Sequence, residues 1–145
     1  MTANKLWRFT SLLSVIGIGL ASYLYYSYLA PVSPSACYIS QSVNCEPVTK
    51  GNIAEVFGVS VALIGLIGYI IILISSIIKN KKLLLGMTAF GMVFCLRLTI
   101  LEIFVEKVIC PVCVACQTVI LLAFAAAVIL NRDKKGIPLK ETPLT

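Results

Sequence analysis

The sequence has no histidine, and only 12% of its 145 residues are charged. Histidine is the commonest metal ligand and a frequent general base, so other residues would have to take both roles. A soluble domain carries about 25% charged residues, whereas this chain is 59% hydrophobic. The composition therefore indicates a membrane protein. The length suits one small bundle without an additional soluble domain.

Four apolar segments have about the 20 residues needed to cross a bilayer. They cover approximately residues 7–29, 56–78, 83–105 and 110–130. The links after the second and third segments are very short, so neighbouring helices are expected to be antiparallel. Small residues allow close helix packing, and the second and third segments carry Gly65, Gly68, Gly86, Ala89 and Gly91. We predict an all-α integral membrane protein, an up-and-down bundle of four transmembrane helices.

Positive charge is distributed unevenly between the two ends of this bundle. Lys50 and Lys107 lie at one end, and the other end collects Lys5, Arg8, Lys79, Lys81, Lys82, Arg132, Lys134, Lys135 and Lys140. Because cytoplasmic segments carry an excess of Lys and Arg, we predict a multi-pass protein of the cell membrane with both termini cytoplasmic. The loop at about 31–55 and Cys110 then face outward, and residues 131–145 form a cytoplasmic tail. The net charge of +6 reflects this topology and gives no nucleic-acid signal.

A cleaved signal peptide is the rival interpretation of the first segment. Lys5 and Arg8 would form its charged region, and the Pro-Ser-Ala before Cys37 resembles a cleavage site. The apolar run is longer than the core of a signal peptide, which has about 7–15 residues. We therefore expect the first helix to be retained.

The sequence Cys-Pro-Val-Cys at residues 110–113 opens the fourth segment. Proline suits the first turn of a helix, so Cys110 is expected at the helix N-terminus, where free amides favour a thiolate. Cysteines in such motifs have lowered pKa values. The motif predicts Cys110 as an exchange nucleophile and Cys113 as its partner. A structural disulfide, or a four-thiolate zinc site with Cys37 and Cys45, are the alternatives.

A second pair of cysteines, Cys37 and Cys45, lies in the predicted outer loop among Ser, Pro and Asn residues. The pair is either a permanent staple or a shuttle disulfide. A shuttle would take electrons from an external dithiol and pass them to Cys110 and Cys113 through mixed disulfides.

Electrons collected by the second dithiol need an acceptor. The chain offers neither histidine for haem nor a glycine-rich nucleotide fingerprint. An acceptor dissolved in the bilayer would meet Cys113 at the mouth of the bundle. By elimination, a lipid quinone is the predicted acceptor.

Two loop cysteines, then "EVFGVSVALIG" opening the second segment and "ICPVC" opening the fourth, resemble the prokaryotic homologues of the vitamin K epoxide reductase (VKOR) family. The resemblance covers roughly residues 10–130. It is closest to a stand-alone form without the fused thioredoxin-like domain that many bacterial relatives carry. It implies a four-helix bundle around a quinone (menaquinone, ubiquinone or similar), with the outer loop capping the site.

The resemblance also implies a disulfide relay. A thioredoxin-like protein acting in trans, of the DsbA-like or PDI-like kind, reduces the Cys37–Cys45 bond, and Cys45 then exchanges with Cys110. Cys113 reduces the quinone through a thiolate adduct or charge-transfer complex. The implied function is a quinone-dependent thiol oxidoreductase that supports disulfide bond formation. Reduction of a quinone epoxide is the vertebrate activity of the family.

The chain departs from the family at two positions. Many relatives have a serine or threonine where Gly51 stands; here either Thr49 or Ser60 supplies the hydroxyl, or the hydroxyl is dispensable. An aromatic residue is common between the active-site cysteines, where this chain has Val112.

Three further residues are candidates for quinone contact. Phe57 matches the family at the start of the second segment, where its ring either lines the quinone pocket or packs in the core. Cys116 lies about 9 Å below Cys110 on a helix and is either under the quinone ring or an inert buried thiol. Gln117 would hydrogen-bond a quinone carbonyl or a neighbouring helix.

Arg97 and Glu102 are the charges expected inside the membrane, where such groups usually face the interior or form pairs. They are about 140° apart around an ideal helix, so a direct pair is awkward. Arg97 either extends outward to the membrane surface or helps to hold an anionic quinone intermediate, and the structural role is preferred.

Two other functions remain open from the sequence. The chain could be a conduit for reducing equivalents that uses Cys95 and Cys116. It could also be a non-enzymatic membrane protein with a zinc-bound or stapled outer face.

Overall fold

The computed structural model describes residues 2–30, 38–43, 45–51 and 54–132. Most of them lie in four long helices, and the shorter elements all fall between the first two of these or after the third. The elements are α1 (Ala3–Leu29), α2 (Glu46–Thr49), β1 (Glu55–Val56), β2 (Val59–Ser60), α3 (Val61–Ile77), α4 (Lys81–Leu101), a π-helical turn (Glu102–Glu106) and α5 (Pro111–Arg132).

The long helices form a ring in which each packs against two neighbours. α1 contacts α3 and α5, and α4 contacts the same two helices. The apolar core lies between them and includes Trp7, Leu13, Ile72, Leu84, Ile120 and Ala123. α1 approaches α3 most closely at Gly17, where an added Cβ would collide with the ring of Tyr69. The Tyr69 hydroxyl in turn donates a hydrogen bond to the backbone oxygen of Cys116 at 2.9 Å, which ties α3 to α5.

Three helical spans are long and apolar enough to cross a membrane: Ala3–Leu29, Lys81–Glu106 and Pro111–Arg132. Their outer faces carry exposed Leu12, Val93 and Leu121, as expected for surfaces in contact with lipid. α3 is more apolar than these three but has only 17 residues, about 26 Å at about 1.5 Å per residue. A typical hydrocarbon core is about 30 Å thick.

The second helix differs from its predicted bounds of 56–78. It begins at Val61, because residues 55–60 form a β-hairpin in which Glu55 pairs with Ser60 and Val56 with Val59. Phe57 and Gly58 form the two-residue turn with φ values of 55° and 78°. Hairpin turns of this length favour positive φ at both central residues, a conformation that a helix cannot contain.

The third helix differs from its predicted bounds of 83–105 at its C-terminal end. The α-helix ends at Leu101, and the last turn, Glu102–Glu106, is π-helical. Lys107 then takes a left-handed conformation with φ 53°, and its backbone N–H donates to the Glu102 carbonyl. This turn reverses the chain toward α5.

The loop between α1 and α3 is attached to the connection between α4 and α5. The Ile109 N–H donates to the Ser42 carbonyl at 2.9 Å, and Val43 pairs with Ile109 in a parallel bridge. The loop therefore lies beside the start of α5, although the two segments are far apart in sequence. The residues of the predicted tail from 133 onward, and residues 31–37 of the predicted loop, lie outside the described residues.

Candidate functional site

The central feature of the site is a contact between Cys45 and Cys110. Their sulfur atoms are 3.0 Å apart, and the contact is buried. Cys45 is part of a disulfide bond, whereas Cys95, Cys110, Cys113 and Cys116 are free thiols. A free thiol against one sulfur of a disulfide is the arrangement that thiol–disulfide exchange requires.

Both contacting cysteines directly precede a helix. Cys45 is followed by α2, and its carbonyl accepts a hydrogen bond at 3.0 Å from the Thr49 hydroxyl one turn later. Cys110 is followed by α5, and its carbonyl accepts the Val114 N–H at 3.1 Å. A small apolar cluster of Leu24, Val48 and Ala62 packs around the two sulfurs. The loop, the hairpin end of α3 and the start of α5 thus meet at one point.

The Cys110 sulfur lies in an environment that favours its thiolate. The hydrogen bond donated by the Cys113 side chain is the largest influence, and it lowers the pKa of Cys110 from its usual value. The Cys113 N–H adds a backbone hydrogen bond at 3.4 Å, as expected at the free amides of a helix N-terminus. Burial and the nearby Glu102 act in the opposite direction, but the pKa remains lowered.

Glu102 adds a carboxylate that the sequence interpretation left without a chemical role. It is only 2% exposed, and its Oε2 accepts the Cys110 N–H at 3.4 Å. Its side-chain oxygen and the sulfurs of Cys110 and Cys113 lie within 4.8 Å of one another. Arg97, by contrast, is exposed. The signal for Glu102 in the sequence was a carboxylate in an apolar segment, eight residues before Cys110.

An apolar cavity opens on the inner side of Cys113. The cavity and the open space at its mouth together measure about 510 Å³. The lining includes Leu24, Val48, Ala62, Tyr69, Phe94, Cys95, Leu98, Cys113 and Cys116. Ligand sites are commonly apolar clefts with a few polar groups. Here the reactive groups on the wall are thiols.

The predicted quinone-contact residues separate into two groups. Cys113 and Cys116 both line the cavity. Phe57 is not among the lining residues, because it sits at the tip of the hairpin with its side chain fully exposed (101%). Gln117 also lies outside the lining, and its amide donates to the Met92 sulfur at 3.6 Å.

The candidate hydroxyls near Gly51 also differ from each other. The Thr49 hydroxyl already donates a hydrogen bond to the Cys45 carbonyl at 3.0 Å. The Ser60 hydroxyl is buried, and it has no hydrogen-bond partner within the described part of the chain. Gly51 follows α2 in a bend.

Of the four cysteines predicted to carry the chemistry, the structure brings Cys45, Cys110 and Cys113 together. Cys37 lies outside the described residues. A sulfur in a disulfide cannot act as a thiolate ligand, so Cys45 is not available to a four-thiolate zinc site in this state.

A bundle of apolar helices with a thiol–disulfide contact beside an apolar cavity defines a membrane thiol oxidoreductase. The sequence model of the vitamin K epoxide reductase family matches residues 8–128, and the chain belongs to this family. This family of oxidoreductases acts with a quinone. No curated protein matches the chain closely enough to be counted as a relative.

Proposed function

We propose that this protein is a thiol:quinone oxidoreductase that oxidises a thioredoxin-like protein outside the cytoplasm and reduces a lipid quinone. The observation that carries the proposal is the 3.0 Å contact between the sulfurs of Cys45 and Cys110. It joins a loop cysteine to a helix cysteine 65 positions away, which is the transfer point that a relay between two pairs needs.

The relay balances in electrons at each step. The dithiol of the partner reduces the Cys37–Cys45 disulfide and becomes a disulfide itself. Cys45 then attacks the Cys110–Cys113 disulfide at Cys110, and Cys37 attacks Cys45 to close the loop disulfide again. Cys110 and Cys113 are left as thiols, and they pass two electrons and two protons to the quinone. In the structure Cys45 is part of a disulfide bond, and Cys110 and Cys113 are both free thiols. This combination corresponds to the stage of the relay just before quinone reduction.

The cavity beside Cys113 is the proposed quinone site, with menaquinone, ubiquinone or a similar quinone as the substrate. Its apolar wall suits a quinone ring, and Cys113 and Cys116 lie on that wall. In this arrangement Cys113 meets the ring from the outer end of the cavity and Cys116 from one helical turn below.

The proposed topology has four crossings, with α3 as the shortest. Both termini are cytoplasmic and the cysteine contact faces outward in the cell membrane, as the distribution of Lys and Arg predicts. The hairpin at residues 55–60 continues from α3 toward the outer surface, so the 17 residues of α3 are sufficient for it to cross the membrane as well.

The conduit and zinc alternatives have less support. A conduit needs thiols that are reachable from the cytoplasm, but Cys95 and Cys116 line the same cavity as Cys113. A zinc-bound outer face remains testable by metal analysis of the purified protein.

The test is anaerobic quinone reduction by the purified protein in detergent, with dithiothreitol as the donor and the quinone absorbance as the signal. Wild type is expected to turn over and Cys113→Ala to lose turnover with every thiol donor. Val114→Ala, an exposed neighbour on the same helix, serves as the matched control. A wild-type protein that reduces neither menaquinone nor ubiquinone analogues would overturn the proposal.

A further inference from the structure

We propose that Glu102 is a catalytic residue, the proton acceptor that ionises the Cys113 thiol when Cys113 attacks a disulfide or reduces the quinone. The inference deepens the proposed function and rests on it. It concerns a residue outside both cysteine pairs, carried on a different helix from the dithiol.

The first observation is the unfinished hydrogen bonding of a buried carboxylate. Glu102 is 2% exposed, and its Oε2 accepts the Cys110 N–H. Oε1 is buried and has no hydrogen-bond partner within the described part of the chain. Buried polar groups in native proteins are nearly always paired, and an exception often marks a catalytic role.

The second observation is distance. The Glu102 carboxylate and the sulfurs of Cys110 and Cys113 lie within 4.8 Å of one another. A proton acceptor has to be within hydrogen-bond reach of the proton it removes, and such contacts often tighten only in the reacting complex. Glu102 is therefore close enough to both reacting sulfurs to serve either one.

Cys110 and Cys113 differ in the groups, other than Glu102, that can stabilise their thiolates. Cys110 sits before α5 and receives the Cys113 N–H at 3.4 Å. Cys113 lies inside the helix, where the free amides of the first turn point away from it. It faces an apolar cavity, and the chain contains no histidine. Once Cys110 is held in a mixed disulfide, its sulfur is no longer a thiolate that can accept the Cys113 proton. Among the described residues, the carboxylate of Glu102 is then the base that lies beside Cys113.

The backbone holds Glu102 at this position. Glu102 begins the π-helical turn, and its carbonyl accepts the N–H groups of Lys107 and Val108. Turns of this kind are rare and occur frequently at functional sites. Here the turn contacts α4 and α2, and it brings the Glu102 carboxylate to the N–H of Cys110, the residue directly before α5.

The proposed step is balanced as follows. Cys110 first attacks a disulfide, either that of an oxidised protein or that of a reagent, and forms a mixed disulfide while the other half of that disulfide leaves as a thiolate. The Cys113 thiol loses its proton to Glu102, and the Cys113 sulfur attacks the Cys110 sulfur. The Cys110–Cys113 bond forms, the mixed disulfide breaks, and the leaving group departs as a thiolate. Glu102 is then protonated and returns its proton to that thiolate or to water. With a quinone as the oxidant in place of the mixed disulfide, the proton would go to the reduced quinone oxygen.

The experiment isolates this step from the quinone. The full chain is prepared with Cys37, Cys45, Cys95 and Cys116 replaced by Ala, then reduced and mixed anaerobically with 4,4′-dithiodipyridine. The first thiopyridone released reports attack by Cys110 on the reagent, and the second reports attack by Cys113 on the mixed disulfide. Each phase is followed by its absorbance.

Glu102→Gln is expected to slow the second phase by about a hundredfold, the lower range for loss of a general base. The first phase should stay within about twofold, because the amide oxygen still accepts the Cys110 N–H. Glu102→Asp keeps a carboxylate and should recover part of the second phase. Glu106→Gln, at the other end of the π-helical turn, is the matched control and should alter neither phase.

Two outcomes would overturn the inference. An unchanged second phase in Glu102→Gln would show that another group takes the proton. Equal slowing of both phases would show that Glu102 only supports the local structure. If the Gln variant does not fold, the Asp variant decides. The shorter Asp side chain places its carboxylate farther from Cys113, so a second-phase rate equal to that of wild type would contradict the role. The assay contains neither quinone nor partner, so failure of the proposed function would be seen separately, as wild type without quinone turnover.

Discussion

The two ends of the helix bundle are built differently. At one end, α3 and α4 are joined by a tight connection in which the Asn80 side chain caps α4 by accepting the Leu83 N–H at 3.3 Å. At the other end, a hairpin, a four-residue helix, a π-helical turn and a bridge between loop and connection surround Cys45 and Cys110. At the first end, two regular helices and a tight turn are sufficient to connect neighbouring helices. At the second end, irregular backbone is needed to bring the sulfurs of Cys45 and Cys110 together from two distant segments. The comparison predicts that changes at the cysteine end alter chemistry and changes elsewhere alter stability alone.

The largest expected effect separates the two cysteine pairs. Cys37→Ala should reduce quinone turnover to background when a reduced thioredoxin-like protein is the donor. Turnover with dithiothreitol should persist, because the small dithiol reaches Cys110 and Cys113 directly once the loop disulfide is absent. Both rates are measured by anaerobic quinone absorbance, with Ser42→Ala as the control in the same loop. Equal loss with both donors would remove the shuttle role from the loop pair.

The second prediction concerns the pH dependence of Cys110. The hydrogen bond from Cys113 lowers the pKa of Cys110, so its thiolate should persist at pH values where an ordinary thiol is protonated. Reactivity is lost as the pH falls through this lowered pKa. In Cys113→Ala the side-chain hydrogen bond is absent, so the midpoint for alkylation of Cys110 by iodoacetamide should move to higher pH. The profiles are measured in chains whose other four cysteines are replaced by Ala. An unmoved midpoint would contradict this cause.

The third prediction addresses the middle of the bundle. Gly17→Ala should destabilise the protein by about 1–3 kcal/mol, the usual cost of overpacking, because the new Cβ collides with the Tyr69 ring. Gly19→Ala on the same helix has nothing within 4 Å of its new Cβ. It should stabilise the helix by up to about 1 kcal/mol. Thermal unfolding in detergent gives both values, and changes of the same sign would contradict the packing described.

The smallest effect is expected at the regular end. Asn80→Ala removes the cap of α4 and should cost about 1 kcal/mol, without changing either phase of thiol exchange. Thr2→Ala is the matched control, because Thr2 precedes α1 without a side-chain cap hydrogen bond. A change in thiol kinetics on removal of the Asn80 cap would show that the two ends are coupled.

The regular parts of this molecule were accessible from the sequence, and the membrane character with its long helices is confirmed. α1 and α5 end within a few residues of the predicted limits, because long apolar runs leave little choice of structure. The stretch 55–60 is so short and so apolar that the periodicity of its sequence cannot distinguish a β-strand from the start of a helix. The turn at Phe57 is also unusual, since an aromatic residue there takes positive φ.

The site was accessible only in part. The Cys-x-x-Cys spacing pointed to Cys110 and Cys113, but the contact with Cys45 depends on the pairing of Val43 with Ile109. Such a long-range register is not encoded in any local pattern. Glu102 was visible as an isolated charge, but its position over the dithiol depends on the π-helical turn, for which the sequence carries no signal.

The complete burial of Cys110 has a consequence for how the protein shares a compartment with other thiols. Its sulfur has no exposed surface, so dissolved small thiols and oxidants cannot collide with it while the loop is closed. Cys110 is therefore insulated kinetically from the redox buffer around it, whatever its reduction potential. In the proposed relay, electrons would reach Cys110 only as fast as the loop disulfide is reduced or the loop moves aside. The protein would then hold a redox state different from that of its surroundings.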